Sequence, residues 1–166
     1  MSLTLFNASF KVDFQESKQD EEYLLQEYFA LNTNAKLASF KKMASKAEFS
    51  DSEEVLFKLL LSIKNDILRL ESKIDNKENF LKLKYSTLAC AIHYEYIKIK
   101  DPLLKEEEDY YFRFRLEGND IAFFVKAIDK NIAKINKFRN DDKILYDNFV
   151  ANMQREFLKE RKKDDV

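Results

Sequence analysis

Apolar residues along this chain follow two different spacings, and the spacings divide it. Between Ser52 and Asp75 they recur at alternating steps of four and three: Leu56, Leu60, Ile63, Ile67, Leu70 and Ile74. That is a heptad seam, with Leu60, Ile67 and Ile74 at a and Leu56, Ile63 and Leu70 at d. Neither Pro nor Gly interrupts it. Ahead of it, Ser50-Asp51-Ser52-Glu53 has Ser followed three residues later by Glu, the capping-box sequence that starts helices. The pattern predicts one long helix whose seam is covered by another helix. Val55, Phe57, Leu59 and Leu61 lie outside the seam, so the first half is expected to pack into its own domain. The second half thins to a and d plus Leu68 and is expected to meet another chain. In a parallel pair Asp66 would face Glu71 of the partner, whereas an antiparallel pair could bring Lys64 near Glu71. The extra apolar positions also ask for a wider core than two helices give. An antiparallel dimer or a four-helix assembly is therefore favoured over a parallel zipper.

Outside this stretch the period is mostly two, with helical pieces at either end. Phe10, Val12 and Phe14 share one face of a strand predicted over Leu5 to Phe14. Glu21 to Leu31 follows as a short helix with Leu24, Leu25, Tyr28 and Phe29 on its apolar face. Asn32-Thr33-Asn34 then breaks the chain before a second short helix marked by Leu37, Phe40, Met43 and Ala44. Beyond Asn76 the alternation runs through Leu81, Leu83 and Tyr85, then Leu88, Cys90, Ile92, Tyr94 and Tyr96, closing at Pro102. Tyr110, Phe112, Phe114 and Leu116 line the next strand, opposite Tyr111, Arg113 and Arg115. Glu117-Gly118-Asn119-Asp120 is a hairpin turn, with Gly free to take positive φ. Return strands are predicted over Ile121 to Ile128 and Ile132 to Phe138, the four strands forming a meander that curls into a barrel. A final helix starts at Asn140 or Asp141. Asp141 and Asp142 fall in its first turn and Lys159, Arg161, Lys162 and Lys163 at its end, as the helix dipole favours. Its stripe is Ile144, Leu145, Phe149, Met153 and Phe157.

Composition narrows the chemistry. Of 166 residues 45% are apolar, enough for a core, and the net charge of −1 supplies no field that would draw the chain onto nucleic acid or anionic lipid. No apolar run reaches the ~20 residues of a membrane span, and no basic-then-apolar leader opens the chain, so membrane insertion and secretion are not expected. A single Cys, Cys90, excludes an internal disulfide and fits a reducing cytoplasm. Gly118 is the one glycine, which excludes the multi-glycine loops of nucleotide-binding and nucleophile-elbow enzymes. One His and one Cys exclude a standard zinc site. No catalytic residue, cofactor or metal is expected. His93 reads as a structural histidine, Glu106 to Asp109 as a solvated acidic loop, and the Lys-rich tail as a helix end. Arg113 and Arg115, about 7 Å apart on one strand face, are the weak candidates for an anion site.

The order of elements from about Lys82 to Lys162 resembles the PilZ family, bacterial receptor domains for cyclic di-GMP. There a six-stranded barrel is followed by a C-terminal helix. The strand Asp109 to Leu116, the hairpin at Gly118 and the run Ile132 to Phe138 look like its later barrel strands. Phe138-Arg139-Asn140-Asp141-Asp142 through Gln154-Arg155-Glu156 is similar to the family's exit from strand to helix. Some PilZ-like proteins carry a long heptad helix that assembles them into tetramers, and Ser52 to Asp75 looks like that arm. The family's ligand motif is two Arg four apart before the barrel and an Asp/Asn-x-Ser-x-x-Gly on a strand. Neither stands here: Asn79-Phe80-Leu81-Lys82-Leu83-Lys84 has no Arg, and the Gly-containing motif is absent throughout.

These readings together predict an α+β chain. Residues 1–78 would form an N-terminal strand and helical oligomerisation region and 79–166 a PilZ-like antiparallel β-barrel with its C-terminal helix, the two making one structural unit. The expected function is non-enzymatic: a cytoplasmic, PilZ-like regulatory or scaffolding protein, a homo-oligomer (dimer or tetramer) through residues 52–75. It would act through a protein partner, without nucleic acid and without binding cyclic di-GMP in the family's way. The alternative is a coiled-coil adaptor or assembly chaperone unrelated to PilZ.

Overall fold

The computed structural model describes residues 3–31, 41–74 and 80–164, and of residues 30, 68, 71–74 and 164 it describes the backbone. Among the described residues the fold is α+β: a closed antiparallel barrel of six strands with four helices. The strands are β1 (Phe6–Glu16), β2 (Tyr85–Ile92), β3 (Tyr96–Ile99), β4 (Asp109–Leu116), β5 (Asn119–Ala127) and β6 (Ile132–Phe138). The helices are α1 (Glu21–Ala30), α2 (41–45), α3 (Asp51–Ile74) and α4 (Asn140–Asp164). Two compact units result, one of residues 1–37 with 83–166 and one of residues 38–82. The boundary therefore falls elsewhere than at 78/79. The first strand belongs with the barrel, and the helical arm is an insertion between two strands that are barrel neighbours.

Closure depends on β1. It pairs with β2 on one edge (Phe14 opposite Tyr85) and with β4 on the other (Phe14 opposite Phe112), so the order around the barrel is β1-β2-β3-β6-β5-β4. The expected meander holds for β4, β5 and β6. β3 does not join it in sequence order but crosses to pair with β6, Ile97 opposite Ala133. The β4–β5 hairpin forms at the predicted turn, where Glu117 and Gly118 both take positive φ (50° and 80°) between the paired residues Leu116 and Asn119. Two residues of positive φ match the right-handed twist of the strands they join.

Rings fill the interior. Phe14 packs on Phe112 at 5.0 Å, Phe114 on Phe123 at 5.1 Å and Phe123 on Phe138 at 5.0 Å. The predicted inner face of β4 is buried throughout, from Tyr110 to Leu116. β2 departs from expectation twice. Leu88 is 42% exposed while Thr87 and Ala89 are buried, so the strand faces the other way. Ala89 sits opposite Phe10 of β1; a barrel this narrow accepts a small residue where its neighbour is large. A bulge in the β2–β3 pairing between Ala89 and Ala91 then lets both Ala91 and Ile92 turn inward. The run to Pro102 is also two strands, because His93-Tyr94-Glu95 turns the chain back.

α4 closes over the barrel. Tyr146 and Val150 are fully buried, with Leu145, Phe149, Met153 and Phe157 packed at their sides. Phe149 reaches Phe10 at 6.0 Å and Phe157 reaches Phe6 at 5.9 Å. The stripe is thus rotated from the predicted one: Ile144 points out, 44% exposed, and Tyr146 takes its place. The Tyr146 hydroxyl donates to the carbonyls of His93 (3.1 Å) and Tyr96 (3.3 Å), which ties the helix to the β2–β3 turn.

Candidate functional site

The arm is built from its cap outward. The Ser50 N–H donates to the Glu53 carboxylate (3.1 Å) and the Glu53 N–H to the Ser50 hydroxyl (3.4 Å), the reciprocal capping box that the sequence predicts. Phe49 stacks on Phe57 at 5.5 Å, and with Ala44 and Leu61 they line a shallow hollow against α2. This fixes which side of α3 faces inward. Phe57 and Leu61 are half-buried, and the flank opposite them is bare. Leu56, Leu60, Ile63, Ile67 and Leu70 are 43–64% exposed, and Val55 and Leu59 beside them are 67% and 55% exposed. The expectation that the first half packs into its own domain therefore holds for Phe57 and Leu61 and fails for Val55 and Leu59. Among the described residues, α2 and the Phe49 ring meet α3 at Phe57 and Leu61. Ile74 ends α3, and its side chain lies outside the described set, as do Leu37 and Phe40 of the predicted second helix. Ion pairs on the arm, Lys58 with Glu54 and Arg69 with Asp66, both at 3.1 Å, are solvated flank contacts.

Among the described residues the seam is thus an apolar stripe about 21 Å long, taken at 1.5 Å per residue from Leu56 to Leu70. Scattered exposed leucines are ordinary on a protein surface; a contiguous apolar stripe is not. Chemically it offers burial and nothing else: it has no nucleophile, no convergent polar groups and no concavity.

The weak anion candidate resolves differently. Arg113 lies on the outer face of β4, but α1 covers it. Its Nη1 donates to both carboxylate oxygens of Glu27, at 2.8 and 2.9 Å, and Nη2 lies 3.8 Å from Asp13. The Tyr111 hydroxyl donates to the same carboxylate at 2.9 Å. Burial, reinforced by the Glu27 charge, pushes the Tyr111 phenol far above its ordinary value. Arg113 is therefore committed to holding α1 on the barrel. Arg115, on the same strand face, is exposed to solvent and opposite Asp120 in the strand pairing. Of the two candidates, then, Arg113 is engaged by Glu27 and Arg115 faces solvent.

Glu27 is the residue that sequence reasoning missed. It sits on α1 with Leu24 and Tyr28, ahead of the C-cap Leu31, all buried, while Phe29, predicted for that face, is 60% exposed. A charged residue in register with apolar neighbours was the available signal. A second polar knot lies one residue further along α1. Arg139 donates to the Tyr28 carbonyl and pairs with Asp142, and its guanidinium lies over the Tyr28 ring, 4.8 Å from the centroid. Asp142 is fully buried with one carboxylate oxygen unpartnered among the described residues. Burial pushes that carboxyl up, against the pull of Arg139.

In the acidic loop Glu107 pairs with Lys126 at 2.7 Å, and among the described residues no group of three His, Cys, Asp or Glu could hold a metal ion. His93 lies in the β2–β3 turn with its ring against Phe6 and Tyr96. At the basic end of α4, Arg161 lies over the ring of Phe157. Among the described residues no helix is long and apolar enough to cross a membrane. Comparison with protein-family models, with curated proteins and with solved structures finds no match to this chain.

Proposed function

We propose that this chain is a non-enzymatic, PilZ-like regulatory or scaffolding protein of the cytoplasm that self-associates through α3 and acts by protein–protein contact. The observation that carries this reading is the bare apolar seam of α3, which no other described element covers. The PilZ likeness draws support from a closed six-stranded barrel followed directly by a helix that packs on it.

The likeness extends to architecture and stops at the ligand. The stretch Asn79 to Lys84 ahead of β2 contains no arginine. The phosphates of a cyclic dinucleotide need charged, bidentate donors, and Arg113 already spends its guanidinium on Glu27. Isothermal titration of cyclic di-GMP into the chain is expected to give no saturable heat at low micromolar ligand. Saturable binding would contradict the nucleotide-independent reading and direct attention to Arg115, Lys82 and Lys84.

A further inference from the structure

The geometry points to the occupant of the seam: we infer that α3 pairs antiparallel with α3 of a second copy, about a dyad at residue 65. This rests on the reading of α3 as a self-association surface and adds its orientation and register.

Charge decides the orientation. Residues 51–62 carry Asp51, Glu53 and Glu54 against Lys58, a net of −2, while 63–74 carry Lys64, Arg69 and Lys73 against Asp66 and Glu71, a net of +1. The three acids crowd the first turn of the helix. A parallel pair would lay two such turns side by side and align the helix dipoles head to head. It would also set Asp66 at g against Glu71 at e on both flanks. An antiparallel pair lays the acidic end of each helix along the basic half of the other and opposes the dipoles.

The spacing of the seam decides the register. With the dyad at residue 65, positions 56, 60 and 63 of one helix fall opposite 74, 70 and 67 of the other. Each layer then joins an a residue to a d residue, and all six seam positions of both copies are used. Shifting the register by a heptad leaves apolar ends hanging in water. The arrangement brings Lys64 near Lys64 and Asp66 near Asp66 across the dyad. Asp66 is already held by Arg69 at 3.1 Å. The parallel pair has as many like-charge contacts on its flanks and adds the two acidic turns.

Disulfide trapping tests this. In a Cys90→Ser background, Leu60→Cys and Leu70→Cys chains are prepared separately, and the solution mass of each is measured. Each is then oxidised with copper–phenanthroline, alone and mixed after exchange. The antiparallel register places residue 60 against residue 70 of the partner, so the disulfide dimer should form in the mixture and be nearly absent from either variant alone. Efficient cross-linking of Leu60→Cys alone and of Leu70→Cys alone would establish the parallel pair and overturn the inference while leaving self-association intact. An oligomeric chain that gives no cross-link in any combination would overturn it too, by showing that the copies meet elsewhere. A monomeric wild-type chain would overturn the underlying reading, with the seam left for a different protein.

Discussion

Glu27 bears the largest single consequence at the scale of one residue. Its carboxylate is buried and accepts hydrogen bonds from Tyr111 and Arg113, so neutralising it leaves a buried guanidinium with a weaker partner. Breaking a buried pair by removing one member costs about 3–5 kcal/mol. Glu27→Gln should fall at the lower end of that range, since Asp13 remains 3.8 Å from Arg113. Arg115→Gln, at an exposed position on the same strand face, should change stability by no more than about 0.5 kcal/mol. Denaturant melts of the two variants separate these cases, and equal midpoints would refute the structural role of Glu27. The buried phenols make a second expectation. Burial raises Tyr28 from 10.0 to about 12 and pushes Tyr111 and Tyr146 higher. Above pH 10 the unfolded chain loses these protons while the folded chain keeps them, so the unfolded state binds fewer protons and stability falls as pH rises. Alkaline unfolding followed by circular dichroism should therefore coincide with a late step in tyrosinate absorbance. All eight tyrosines titrating together before unfolding would contradict it.

At the scale of elements, α4 is the clearest test of packing. Truncation after Asp141 removes Tyr146 and Val150, both fully buried, and the flanking Phe149, Met153 and Phe157. Burial of one large apolar side chain is worth about 1.5–3 kcal/mol, against a total of about 5–15 kcal/mol for a domain. The truncated chain should lose its cooperative melt and bind a hydrophobic dye; an unchanged midpoint would make α4 a detachable arm. Elements of this kind were legible in the sequence because their signals are local. The capping box, the two-residue hairpin turn and the strict alternation of β4 each sit within a few residues. The partners of Glu27 were not legible, because they lie 84 and 86 residues away and only the closed barrel brings them together. The facing of β2 was hidden for a related reason. Ala89 carries almost no hydrophobic signal, and its place inside follows from Phe10 on another strand. Periodicity likewise located the α3 seam but could not tell which flanking residues its own unit would cover.

At the scale of the molecule, the two units differ in where they keep their apolar residues. The barrel consumes its aromatic surplus internally, and the polar knots at Arg113 and Arg139 hold α1 and α4 to it. The arm keeps its apolar seam on the surface, a costly arrangement for a chain that remains alone in water. Substitutions on the seam should accordingly disturb assembly and leave the barrel standing. The most direct measurement is the solution mass, by multi-angle light scattering, of the wild-type chain beside a Leu60→Asp, Ile67→Asp double variant. The account predicts a wild-type mass that is a multiple of the 19.8 kDa monomer, a variant at the monomer mass, and the same thermal midpoint for the barrel in both. A wild-type chain that stays at 19.8 kDa at high micromolar concentration would contradict it.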